Sequence, residues 1–164
     1  MKYQVRDKIL SIGDDAWVTD EQGRQAFLLD GKAMRLRQTF ELKDPAGQVL
    51  LTIRKKLISM RPAMVIEHDG TTIAQVHKKL IHLIRDRFSI ELYGGEDWTA
   101  TGDFFDKEYE ISSDDGLIAE ISRKWFRLRD TYTVNVAPGA DDALVLAVAV
   151  AVDTLAEEDH DHDD

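Results

Sequence analysis

No cysteine occurs in the 164 residues, which removes disulfides, thiolate metal sites and cysteine nucleophiles and fits a reducing compartment. Long hydrophobic runs are also missing. The longest, Ala143 to Val152, has ten residues, about half of the ~20 that a membrane-spanning helix needs, so no transmembrane segment is expected. Met1-Lys2-Tyr3-Gln4-Val5-Arg6-Asp7 has no apolar signal region, and a cytoplasmic protein is the expectation. The chain contains no G-x-S-x-G, H-E-x-x-H, Walker loop or dinucleotide-binding glycine fingerprint. His77 and His82 are five apart and would face opposite sides of a strand, so they cannot share a metal. Neither a cofactor nor a metal centre is expected.

What is present suits one globular domain. The length matches a single core, and 43% apolar residues exceed what a disordered chain carries. The net charge of −10 is unevenly spread: Glu157 to Asp164 holds six carboxylates, leaving the remainder near −4. Residues 32–61 carry eight Lys/Arg (Lys32, Arg35, Arg37, Lys43, Arg54, Lys55, Lys56, Arg61) against Glu41 and Asp44. The pattern is a body with a basic region and an acidic tail.

Clusters of glycine, aspartate and proline recur at Gly13-Asp14-Asp15, Asp20–Gly23, Asp30-Gly31, Asp44–Gly47, Asp69-Gly70, Gly94-Gly95, Asp114–Gly116 and Pro138-Gly139. Each supplies positive φ or a local side-chain cap and reads as a tight turn. Between them apolar residues alternate with polar ones: Val49, Leu51, Ile53; Phe88, Ile90, Leu92; Leu117, Ala119, Ile121, Trp125; Tyr132, Val134, Val136. Period two with β-branched and aromatic residues predicts strands, about ten to twelve of them, joined as hairpins. A weak repeat runs through the chain. Leu50–Lys56, Ile73–Lys79 and Ile118–Lys124 align residue for residue, each just after a turn glycine (Gly47, Gly70, Gly116) and each ending in a basic pair.

The C-terminal segment is the most informative. Its Ala/Val alternation also suits a buried strand. Asp141 through Ala156, however, runs sixteen residues without a turn signal, ordinary for a helix and long for a strand. Asp141 and Asp142 provide an N-cap and favourable charge at its start. A helix over 141–156 is apolar on every face and must be enclosed on every side. The expected fold is mostly β: a closed antiparallel barrel of about twelve strands around a hydrophobic C-terminal helix, with residues 1–156 as one domain and 157–164 as a disordered acidic tail.

The ordered series Gly102-Asp103-Phe104, Tyr109-Glu110-Ile111, Gly116–Trp125, Asp130–Val134 and Asp141–Leu144 resembles the LURP-one-related family, whose kin are tubby C-terminal domains and phospholipid scramblases. The resemblance covers nearly the whole chain, most strongly residues 70–155. It implies a twelve-stranded, tubby-like barrel threaded by a hydrophobic helix. Tubby domains bind phosphoinositide headgroups through basic residues, but those residues do not map onto positions here. Scramblases add a cysteine cluster and a membrane segment that this chain lacks.

If a helix fills the barrel, recognition falls to the ends and the outside. The candidate ligand-binding residues are the repeated basic ones, Arg54, Lys55, Lys56, Lys78, Lys79, Arg123 and Lys124, which equivalent strands would carry to one rim. Trp125, Phe126 and Arg127 adjoin the last pair. The competing reading is that such cations merely solubilise strand ends. Asp103, Asp106, Glu108 and Glu110 lack the spacing of a calcium loop and read as a solvated face. His160 and His162 belong to the acidic tail. The functional expectation is a non-catalytic binding module for an anionic ligand or membrane surface. Alternatives are a protein-interaction or scaffolding domain, and an enzyme of unknown class. Nucleic acid is disfavoured by the acidic total.

Overall fold

The structure, a computed structural model, describes residues 1–6, 15–34, 37–56, 59–79, 87–123 and 131–163, without the side chains of 6, 32–34, 37, 38 and 160–163. Twelve strands close into a barrel: β1 (Lys2–Arg6), β2 (Asp15–Thr19), β3 (Gln25–Met34), β4 (Arg37–Lys43), β5 (Val49–Lys55), β6 (Ala63–His68), β7 (Thr71–Lys79), β8 (Arg87–Leu92), β9 (Trp98–Asp103), β10 (Glu108–Ser113), β11 (Gly116–Ser122) and β12 (Thr131–Val136). Consecutive strands pair antiparallel, and β1 against β12 completes the ring. An eight-stranded barrel is filled by its own side chains. Twelve strands leave a lumen that α1 (Asp142–Asp163) occupies. No helix among the described residues is long and apolar enough to cross a membrane.

The helix is held at both ends. At its start Asp141 Oδ1 accepts the amide of Leu144 at 3.1 Å, the N-cap that the sequence predicts. Tyr3 donates its hydroxyl to Asp142. Burial, reinforced by that carboxylate, pushes the phenol well above its usual range. Between the ends, Val145 through Leu155 are buried without interruption against inward residues such as Leu29, Ile53, Ile66, Ile90 and Ile121. Each Val or Leu side chain so enclosed contributes about 1.5–3 kcal/mol, which explains how a valine-rich segment becomes helical despite its strand propensity.

Three expectations need correction. Asp30 and Gly31 are not a turn but the middle of β3. Gly31 opposes Phe40, and Asp30 accepts Lys43 Nζ at 2.6 Å, so cross-strand partners override the local turn preference. Val49 and Leu117 do not share the core face of their strands: they are 39% and 49% exposed. Register shifts at Leu42/Lys43 and Ile111/Ser112 separate them from the alternation that follows. Finally, α1 does not stop at Ala156 before a disordered tail but continues to Asp163.

Candidate functional site

Antiparallel closure makes every odd-numbered strand run the same way, toward the end of the barrel where α1 finishes. The three aligned segments fall on β5, β7 and β11, so the repeat is structural, and its described cations, Lys55, Lys56, Lys78, Lys79 and Arg123, lie at one end of the barrel. The pleat then divides each pair, since adjacent residues face opposite sides. On β5, Leu51 and Ile53 point inward and Lys55 continues that row. On β7, Ala74, Val76 and Lys78 do the same.

The inward lysines meet the helix end. Lys55 Nζ lies 2.6 Å from Glu158 Oε1, and Lys78 Nζ lies 2.8 Å from Asp159 Oδ2. The outward members differ. Lys56 is exposed and reaches Gln75 Oε1 at 3.2 Å. Lys79 is exposed and sits directly opposite Arg87, also exposed, in the β7–β8 register. Arg54 faces outward and is bound by Glu67, with Nε at 2.9 Å from the carboxylate. Arg123 is half-buried, and its amide donates to Glu108 Oε1 at 2.8 Å. Lys124 lies outside the described residues, as do His82, Arg35, Trp125, Phe126 and Arg127. The predicted rim is therefore two surfaces: a mouth whose lysines carry carboxylate partners, and an outer shoulder with exposed cations.

Two features escape a reading of the sequence. One is Arg87, whose place beside Lys79 only the register shows. The other is a buried polar cluster beneath the mouth. Lys107, 3% exposed with φ 55°, aims Nζ at Asp153 Oδ1, 3.2 Å away. The same carboxylate accepts the hydroxyls of Tyr109 at 3.0 Å and Tyr132 at 2.9 Å. Burial pushes the Asp153 carboxyl above its ordinary value, against the opposing pull of Lys107 and the two phenols. One charged residue ending an apolar helical run was the available signal. The cluster holds the helix in register: its groups bind one another, and the neighbouring interior is packed. A lumen cavity beside Leu29, Tyr132 and Leu146 measures about 10 Å³, room for about one water.

Of the acidic group named from the sequence, Asp103, Asp106 and Glu110 are exposed, as a solvated face requires, and two members also bind locally. Glu108 accepts Ser122 Oγ at 2.9 Å, and Asp103 caps its turn by accepting the amide of Asp106 at 2.9 Å. No group of three or more His, Asp or Glu among the described residues is placed to hold a metal ion. A groove of about 350 Å³ on the outer face of β9–β11 is lined by Glu108, Glu110 and Glu120 among others, opposite in charge to the shoulder.

Comparison with known proteins agrees with this architecture. The chain is 26% identical over 157 residues to the uncharacterized protein YxjI of Bacillus subtilis, covering 96% of this chain and 94% of that one. It is 22% identical over 173 residues to Protein LURP-one-related 14 of Arabidopsis thaliana, covering 93% and 83%. An X-ray structure of an Arabidopsis thaliana protein superposes with a TM-score of 0.69 at 17% identity, over 94% of this chain and 91% of the other, a likeness of fold. The family model described as LURP-one-related matches residues 1–153, every strand of the barrel and the first half of its helix, and the chain belongs to that family.

Proposed function

We propose that this domain is a non-catalytic binding module that meets an anionic lipid surface with the outer shoulder of its basic end. The observation that carries the reading is the company kept by the exposed cations. Lys56, Arg61, Lys79 and Arg87 share that end with Met60 and Phe105, which are 104% and 69% exposed. Each lysine or arginine near an anionic membrane contributes about 1 kcal/mol, and apolar tips beside them suit an interfacial layer better than a free small anion. With α1 filling the lumen, recognition falls to the ends of the barrel and its outer face. The resemblance to tubby domains makes phosphoinositide headgroups one class to include.

Co-sedimentation with phosphatidylcholine vesicles, with and without phosphatidylserine or a phosphoinositide, tests the proposal. The expected result is salt-sensitive recovery with anionic vesicles only, reduced by Lys56→Glu with Lys79→Glu. Equal, salt-insensitive recovery with neutral and anionic vesicles refutes it. Retention of a protein partner that the same substitutions release, with no vesicle binding, replaces it with the scaffolding reading.

A further inference from the structure

The acidic end of α1 is an anomaly of helix electrostatics. The C-terminus of a helix carries partial negative charge and favours cations, yet Glu157, Glu158, Asp159, Asp161 and Asp163 occupy the last two turns of this one. A segment of that composition frays when left alone. Here it stays helical and delivers its carboxylates to the barrel mouth: Glu158 to Lys55 at 2.6 Å, Asp159 to Lys78 at 2.8 Å and Glu157 toward Lys107 at 3.8 Å. β5 and β7, which carry Lys55 and Lys78, contain no acid of their own, so the carboxylates of the helix end lie where those strands supply none.

We infer that the mouth formed by Lys55 and Lys78 is an anion-binding site, and that the acidic end of α1 is its intramolecular occupant, so the chain's own carboxylates compete with an external polyanionic surface. The inference rests on the binding role proposed above and adds its regulation. The partners are exchangeable. The Lys55 and Glu158 side chains are 35% and 22% exposed, and those of Lys78 and Asp159 are 27% and 35% exposed, so water and competing anions reach them. Pairs this exposed are individually weak. The deeper Lys107–Asp153 pair, with both side chains 4% exposed, stays closed and keeps the rest of the helix in place. Release therefore involves only the turns beyond Asp153. Linkage makes the effect reciprocal: whatever anion takes Lys55 and Lys78 unwinds the acidic turns, and whatever neutralises those turns raises affinity for the anion.

The test compares four full-length proteins on phosphatidylcholine vesicles containing phosphatidylserine. These are wild type, the triple variant Glu157→Gln/Glu158→Gln/Asp159→Asn, the variant Lys55→Gln/Lys78→Gln, and the combination of both. Glutamine preserves helix propensity, and circular dichroism confirms folding of each. The triple variant should bind about thirtyfold more tightly, as expected when two further lysines meet an anionic surface. The combined variant should lose that gain. Wild-type binding unchanged by the triple substitution overturns the inference and leaves the shoulder reading standing. A gain that persists without Lys55 and Lys78 also overturns it, because net charge alone then explains the gain. No binding by any of the four refutes the lipid-surface reading itself. In hydrogen exchange, amides 157–163 should lose protection when wild type binds the vesicles, and unchanged protection counts against occupancy by the tail.

Discussion

Replacing Lys107 with methionine separates the ion pair beneath the mouth from mere packing. Methionine keeps most of the stem and removes the ammonium 3.2 Å from Asp153. Asp153 then retains the phenols of Tyr109 and Tyr132 but no countercharge among the described residues. Breaking a buried pair by removing one partner costs about 3–5 kcal/mol. For a domain of this size, at about 2–4 °C per kcal/mol, Tm should fall by roughly 6–20 °C at neutral pH. The pH dependence supplies the sharper test. The folded-state pKa of Asp153 is raised, chiefly by burial, so the folded chain holds that proton more readily than the unfolded one. Stability from this group is therefore fully present below the ordinary aspartate value and is lost as pH rises through the folded value. Without Lys107 the carboxyl rises further, so the loss in Lys107→Met should be larger near pH 7 than near pH 5. Adding Asp153→Asn removes the orphaned charge and should recover much of the loss. Thermal unfolding at the two pH values measures all of this. A neutral-pH loss below about 1 kcal/mol, or a double variant as unstable as the summed singles, would show that the pair does not act as argued.

Gly102→Ala should destabilise by at least about 2 kcal/mol in urea unfolding, because φ is +143° and an added Cβ would stand 2.5 Å from the Glu108 carbonyl oxygen. Ala147→Leu overfills the lumen, where Ala147 is 0% exposed, and should cost about 1–3 kcal/mol; an unchanged Tm would mean that the helix is looser than its burial implies. Asp141→Ala removes the N-cap and should cost about 1 kcal/mol by the same assay. Asp20 is drawn upward by burial, yet the amides of Arg24 and Gln22 and the Arg24 guanidinium outweigh this and hold it below its ordinary value. Its contribution is therefore present above the unfolded value near pH ~4 and lost as pH falls. Asp20→Asn should flatten the acid limb of the stability profile, and an unaltered limb would contradict the assignment.

Much of this architecture is legible residue by residue. Alternation in β5, β8 and β12 identifies the core face, because the pleat has a period of two whatever surrounds it. An apolar segment with no polar face has to be enclosed, and that requirement leads from Ala143–Val152 to a closed barrel. The repeat aligns Lys55-Lys56 of β5 with Lys78-Lys79 of β7, and both pairs lie at strand ends. Local pattern misleads where a partner strand decides. Asp30-Gly31 has turn chemistry but is claimed by Phe40 and Lys43, and Val49 and Leu117 lie beyond register shifts that only pairing reveals.

The candidate site divides along the same line. The repeat in the sequence assigns Lys55 and Lys78 to equivalent positions near the ends of two strands. Tertiary structure decided which cations keep outside access. Adjacent lysines are neighbours in sequence but face opposite sides of a sheet, and the acids that meet Lys55 and Lys78 lie 103 residues and 81 residues further along. Contacts over such separations depend on where the helix stops inside the barrel. The buried partnership of Lys107, Tyr109, Tyr132 and Asp153 sets that depth, and no local pattern encodes it.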